Sequence, residues 1–209
     1  MVQDIVCYIQ TNYFEVLSAI IALICVFLEI KQDILVWWIS FVASLMYTWV
    51  FYDKSLYSSS VLHIFYAIMC IYGWWQWRKI REHTHTKKTV LRMPMHYYPV
   101  VLLTIVVLTP PVGYLNEYYQ GKLPYWDAYL AVCSVVAYWL LAKKYLENWI
   151  LWILTDTVYV VMYLYEGALA TAVLYFAYVV LAISGLVIWR KDWLNTLIKR
   201  PISDKLINE

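Results

Sequence analysis

A long apolar chain that repeats itself has few ways to fold, and this one repeats without a gap. Trp77-Arg78-Lys79 recurs as Trp189-Arg190-Lys191, 112 positions later. The same offset carries Lys31 onto Lys143, Trp37 onto Trp149, Tyr47 onto Tyr159, Tyr66 onto Tyr178 and Gly73 onto Gly185. Glu15 and Asp127 align as well. Both copies are rich in apolar and aromatic residues. The whole chain is 64% hydrophobic and 14% charged, against about 45–50% apolar in a soluble domain. Such a chain is expected to be an integral membrane protein. Internal symmetry in a membrane protein points to a transporter with its site between the halves.

Several classes drop out. The longest polar stretch of the 209 residues covers 78–96, too little for a soluble catalytic domain. The net charge of +2 carries no nucleic-acid signal, and no nucleic-acid partner is expected. Asp4 comes early and no basic n-region precedes it, so the start does not read as a secretory signal. Cys7, Cys25, Cys70 and Cys133 show no metal-ligand spacing and read as small apolar residues or free thiols. His83, His85 and His96 read as solvated loop residues, not as a metal site. No Gly-rich phosphate loop occurs, so ATP-driven transport within the chain is not expected. No cofactor and no enzymatic activity are expected.

A membrane-spanning helix needs roughly 17–25 apolar residues. Seven runs qualify, at 14–30, 34–52, 58–77, 97–115, 126–142, 149–165 and 169–189. Proline is absent between Glu15 and Lys79 and between Asp127 and Lys191. Pro94 and Pro99 flank the start of the middle run, and Pro110 and Pro111 lie near its end. The expected fold is an all-α integral membrane protein of seven transmembrane helices. Two parallel three-helix repeats, 14–79 and 127–191, are joined through 80–126. That segment holds a basic cytoplasmic loop, a linker helix and an outer loop. Residues 192–209 form a cytoplasmic tail. The odd linker helix returns the chain to its starting side, so the repeats run parallel in a SWEET-like 3+1+3 order.

Charge fixes the expected orientation. With the loop after the third helix cytoplasmic, 14 of the 16 basic residues lie inside, and Lys54 and Lys122 lie outside. The N-terminus is then outside and the C-terminus inside. Residues 1–12 and 192–209 read as interfacial segments, with Pro201 interrupting the second.

An ionisable residue at mid-membrane costs roughly 2.5–3.5 kcal/mol and needs a reason. Asp156 is the clearest case. Asn148, Trp152, Asp156, Tyr159 and Tyr163 recur at helical spacing and share a face. The offset maps that stripe onto Ser40, Ser44, Tyr47 and Phe51. Likewise Ser59, His63, Tyr66 and Gly73 match Thr171, Tyr175, Tyr178 and Gly185. The candidate substrate-binding set is Asn148, Trp152, Asp156, Tyr159, Tyr175 and Tyr178 from the second half, with Ser44, Tyr47, His63 and Tyr66 from the first. The bland reading competes with it, because Tyr and Trp also anchor helix ends at interfaces. Trp37, Trp38, Trp74, Trp77 and Trp189 are given mainly that role. His63 and Asp156 could instead be inter-helix hydrogen-bonding groups, or a proton relay. No second carboxylate accompanies them, which argues against an intramembrane acid–base enzyme.

Ile71-Tyr72-Gly73-Trp74-Trp75-Gln76-Trp77 resembles the Y-G-W-x-x-W segment of the PnuC family of vitamin transporters. Tyr125-Trp126-Asp127, then Glu147-Asn148-Trp149 with Trp152, Asp156 and Tyr159, resembles that family's Y-W-D and E-N-W-x-x-W-x-x-x-D-x-x-Y signatures. The likeness covers roughly residues 14–191. It implies a multi-pass carrier of the bacterial inner membrane that takes up nicotinamide riboside, an NAD precursor, by facilitated diffusion. It also implies a cytoplasmic riboside kinase that traps the substrate as its mononucleotide. Relatives carry thiamine, riboflavin or deoxynucleosides, so the ligand is less fixed than the mechanism. Nicotinamide riboside has a cationic ring, which aromatic faces attract, and Asp156 could offset its charge or bind ribose hydroxyls. The sequence leaves self-association into a homo-oligomer open.

Overall fold

A computed structural model describes residues 13–53, 57–84, 86, 88–119, 123–165 and 167–206. Among them seven helices follow one another: α1 (Tyr13–Ile30), α2 (Leu35–Asp53), α3 (Tyr57–Thr84), α4 (Tyr97–Tyr118), α5 (Pro124–Ala142), α6 (Glu147–Tyr165) and α7 (Leu169–Leu206). Each falls on one of the seven apolar runs. α4, α5 and the Thr171–Leu197 stretch of α7 are long and apolar enough to cross a membrane, whereas Ile20–Ile30 and Leu35–Trp49 are apolar but shorter. α3 and α6 miss that mark because each carries a polar and aromatic stripe. In α4 only Gly113 is buried, while Val100, Leu102, Leu103, Val106 and Val107 are exposed. An apolar face of that size needs lipid or protein over it.

α2 packs along α3 and α6 along α7; across the halves, α1 meets α7 and α3 meets α5. α4 lies against α5. The offset of the repeat recurs in these contacts. Gln32 and Lys144 both take positive φ, 55° and 56°, a conformation that costs a non-glycine residue roughly 1–2 kcal/mol. Matched hydrogen bonds hold each turn: Gln32 N–H donates to Glu29 O and Lys144 N–H to Leu141 O, at 3.0 and 2.9 Å. Trp37 stands edge-on to Trp77 at 5.3 Å, and Trp149 to Trp189 at 5.5 Å.

The indoles then cross over. Trp77 Nε1–H donates to Leu141 O at 3.0 Å, and Trp189 Nε1–H donates to Glu29 O and Ile30 O, both at 3.2 Å. Each acceptor lies in the last turn of a helix of the other half, where carbonyls lack intrahelical donors. A buried indole N–H needs an acceptor as much. The exchange gives each indole its acceptor and adds a second donor to Leu141 O and Glu29 O, which the Lys144 and Gln32 N–H groups already reach. Trp37, Trp77 and Trp189 are thus core residues, 1%, 2% and 0% exposed. The expectation that they anchor the interface is corrected; Trp38, 52% exposed, does face outward. Glycine makes this packing fit. A Cβ on Gly185 would sit 2.7 Å from Trp149 ring carbons, and one on Gly73 would overlap the Trp37 ring.

The turns 31–34 and 143–146, the segment after α3 and the start of the α7 extension gather at one end. Lys144 Nζ donates to Gln32 Oε1 at 3.2 Å, and Gln32 Nε2–H donates to Asp192 Oδ2 at 3.0 Å. Leu91 N–H donates to Lys144 O and Leu146 N–H to Leu91 O, both 2.9 Å. Arg92 Nε–H meets Glu147 Oε1 at 2.6 Å, while Tyr98 Oη–H and the Met93 N–H also donate to that carboxylate. The arrangement holds the Arg92 guanidinium more firmly protonated than usual, chiefly through Glu147. Lys144, one of the basic residues expected on the cytoplasmic side, is buried at 2% exposure. Its desolvation, with help from the Arg81 charge and against the pull of Asp192, brings its pKa down to about 7.

Two boundaries differ from expectation. α4, which contains Pro110 and Pro111 as expected, continues past 115 to Tyr118, and α7 runs through Pro201 to Leu206. Residues 192–206 therefore continue the last helix, and Pro201 does not interrupt it. Residues 1–12, with Cys7, as well as Lys54, His85, Lys87 and Lys122, lie outside the described residues.

Candidate functional site

A cavity of about 440 Å³ opens between the halves. Six helices line it and α4 does not. α2 supplies Ser40, Ser44 and Tyr47, and α3 supplies His63 and Tyr66. α6 supplies Trp149, Trp152, Asp156 and Tyr159, whose spacings of three and four put them on one helical face. α7 adds Tyr175 and Tyr178, α5 adds Ser134 and Tyr138, and α1 adds Cys25 and Glu29. Of the ten residues expected at the site, nine line the cavity.

Asn148 is the exception. It is 0% exposed, and its Nδ2–H donates to Tyr145 O at 2.6 Å within the turn before α6. It shares a helical row with Trp152, but it lies one turn nearer the helix start and is enclosed by that turn. Its neighbour Glu147 likewise holds Arg92 and Met93. The first two residues of the E-N-W motif therefore secure the turn rather than face the cavity.

The aromatic walls repeat between the halves. Tyr47 lies 5.2 Å from His63, and Tyr159 lies 4.6 Å from Tyr175. His63 meets Tyr66 edge-on at 5.7 Å, as Tyr175 meets Tyr178 at 5.6 Å. These are equivalent positions, so one geometry is built twice. The second half goes further, because Tyr163 stacks on Tyr175 at 5.3 Å. The identities also diverge: Ser44 holds the position equivalent to Asp156, each 7% exposed.

Glu29 was missed in the sequence. It is 8% exposed and lines the cavity, so Asp156 does have a carboxylate companion. The expectation of none is corrected. Beside Ile30, Lys31 and Asp33 it reads as the charged edge of a loop. The usable signal was helical spacing: Ala22, Cys25, Val26 and Glu29 form one row, and all four line the cavity.

The chemistry of the lining is lopsided. Two carboxylates face it, and His63 is the sole basic side chain among the described lining residues. No hydrogen bond to the Asp156 carboxylate forms among the described residues. The buried indole N–H groups of Trp149 and Trp152 also lack partners there. The site thus offers aromatic faces, hydroxyls and acidic acceptors. It suits a ligand with a flat, electron-poor ring and several polar groups. A phosphate would meet no Lys or Arg.

Cys25, Cys70 and Cys133 are free thiols. His83 is exposed, with Nδ1 2.9 Å from Lys79 O.

Comparison with known proteins agrees with this picture. The protein-family model described as nicotinamide mononucleotide transporter matches residues 12–191. The nicotinamide riboside transporter PnuC of Escherichia coli (strain K12) is 23% identical, with 90% of this chain and 88% of that protein aligned. The riboflavin/roseoflavin transporter RibM of Streptomyces davaonensis is 25% identical over 86% of this chain and 83% of its own length. The crystal structure of the vitamin B3 transporter PnuC superposes with a TM-score of 0.67 at 21% identity, covering 93% of this chain and 88% of the other. That likeness establishes a shared fold.

Proposed function

The chain belongs to the nicotinamide mononucleotide transporter family of membrane proteins, and on that premise we propose that it carries nicotinamide riboside across the bacterial inner membrane. The observation that carries this reading is the cavity itself: aromatic walls with Glu29 and Asp156, and no Lys or Arg among the described residues that line it. A cationic pyridinium gains from aromatic faces, most when both are desolvated, and a carboxylate offsets its charge. The mononucleotide adds a phosphate that would meet two carboxylates and no Lys or Arg among the described lining residues. We read flow as passive and alternating, with one three-helix bundle rocking against the other. A cytoplasmic riboside kinase then traps the substrate, since the added phosphate would be repelled by Glu29 and Asp156 with no Lys or Arg among the described lining residues to offset it.

The same proposal covers topology. α1–α3 and α5–α7 are the parallel repeats, α4 is the linker, and the end bearing Lys143, Arg190 and Lys191 faces the cytoplasm. The gathering of those basic segments at one end supports it.

Calorimetric titration of the purified protein with nicotinamide riboside, thiamine, riboflavin and uridine tests the ligand. Tightest binding of nicotinamide riboside is expected. Tightest binding of riboflavin would transfer the reading to another vitamin, the alternative that the riboflavin/roseoflavin relative supports. A second alternative, proton coupling through His63 and Asp156, is favoured by both lining one cavity. It requires uptake into proteoliposomes to follow an imposed pH gradient.

A further inference from the structure

The cavity has two chemically different ends. One is the tyrosine cluster of α6 and α7, around Tyr159, Tyr163 and Tyr175. The other lies towards the turns, where Glu29 sits one residue before the end of α1. Asp156 lies nine residues into α6, roughly 13 Å along it at 1.5 Å per residue. Hydroxyls collect around the Glu29 end. Ser40 Oγ–H donates to Cys25 Sγ at 3.6 Å, and Tyr138 Oη lies 3.5 Å from Cys70 Sγ. Ser40, Tyr138 and Glu29 all line the cavity. Thiols are weak partners, so these hydroxyls remain able to bond a better one.

Glu29 has a second role in the same residue. Its carbonyl accepts the Trp189 indole N–H from the other half. The repeat-equivalent acceptor is Leu141 O, which receives Trp77. Leu141 has an apolar side chain, whereas Glu29 turns a carboxylate into the cavity. One of the two crossed indole contacts is therefore wired to the site, and the other is not.

We propose that Glu29 is a substrate-binding residue that accepts the sugar hydroxyls, so that the ligand lies with its sugar towards the turns and its ring among the tyrosines. This rests on the reading of the cavity as the carrier site. Vicinal hydroxyls can both donate to one carboxylate, and such charge-assisted bonds are the strong ones. Because Glu29 also anchors Trp189, a sugar held there bears on the contact between the halves.

The test compares Glu29→Gln, Glu29→Leu and Asp156→Asn in the full-length purified protein. The probes are nicotinamide riboside and N1-methylnicotinamide, which keeps the cationic ring and lacks the sugar. Glu29→Leu is expected to weaken riboside binding about thirtyfold or more, and Glu29→Gln about tenfold, with one acceptor oxygen retained. Neither should change binding of N1-methylnicotinamide more than about twofold. A structural role would move both probes alike, together with the melting temperature, and would overturn the proposal. If Asp156→Asn weakens riboside binding and the Glu29 variants do not, the proposal falls while the carrier site stands. If none of the three changes binding, the carrier site itself falls.

Discussion

Replacing Asp156 by Asn removes a charge while keeping shape, and the ligand's own charge can be switched to match. Nicotinamide riboside has a reduced dihydro form with the same sugar and nearly the same outline but no cation. Asp156 is 7% exposed, and no hydrogen bond to its carboxylate forms among the described residues. A cationic ring about 5 Å away, at an effective dielectric of about 20, gains about 3 kcal/mol from the carboxylate. Desolvation of both groups returns part of that, leaving about 2 kcal/mol. That is roughly thirtyfold in Kd. Asp156→Asn is therefore expected to weaken binding of the cationic riboside roughly thirtyfold and binding of the dihydro form less than about threefold. Trp152 lines the same cavity, so quenching of tryptophan fluorescence in detergent reads both titrations. Equal losses for the two forms would refute the charge argument and make Asp156 a hydrogen-bonding or structural residue.

Other tests follow from the packing and the buried lysine. Gly185→Ala pushes a Cβ against Trp149 and Gly73→Ala pushes one further into Trp37; overpacking of this kind costs about 1–3 kcal/mol. Melting curves should fall for both, more for Gly73→Ala, and the pair Gly73→Ala with Trp37→Leu should recover part of the loss. Trp77→Phe and Trp189→Phe each keep an aromatic ring but drop the crossed indole hydrogen bond, so each should lower the melting point by the equivalent of about 1 kcal/mol. Lys144 has a folded pKa of about 7 against 10.5 unfolded. Between those values the unfolded chain binds more protons, so stability from this group should rise as pH goes from 7 to 10. Lys144→Met should flatten that slope; an unchanged slope would show that the lysine titrates as an exposed one.

The helices were legible because the membrane demands long apolar runs, and each run became one helix. The aromatic stripes were legible for a related reason: a face at helical spacing survives whatever the helix packs on. What failed was judgement of depth at helix ends. Glu29 and Lys144 sit within a few residues of a turn, where a charged side chain normally reaches water. Here each turn is sealed by the other half: Trp189 reaches the Glu29 carbonyl, while Gln32 and Trp77 cover Lys144. Asn148 failed the other way: Trp149 beside it lines the cavity, but the Asn148 amide is turned into the preceding turn by its bond to Tyr145 O, which a row shared with Trp152 does not reveal. Trp37, Trp77 and Trp189 looked like interface anchors because sequence cannot show that their neighbours at the turns belong to the other repeat.

The contact between Lys144 and Gln32 joins two positions that the repeat makes equivalent. In a symmetric pair of unfused copies, a residue at that place would meet its own twin. Twin lysines would repel, and twin glutamines would take from Asp192 the charge of Lys144. A single continuous chain escapes the constraint, since its halves answer to separate codons. One position became the donor and the other the acceptor. Covalent linkage of the halves was thus a licence for them to differ, and the same licence allows one half to line the cavity with Ser44 where the other places Asp156.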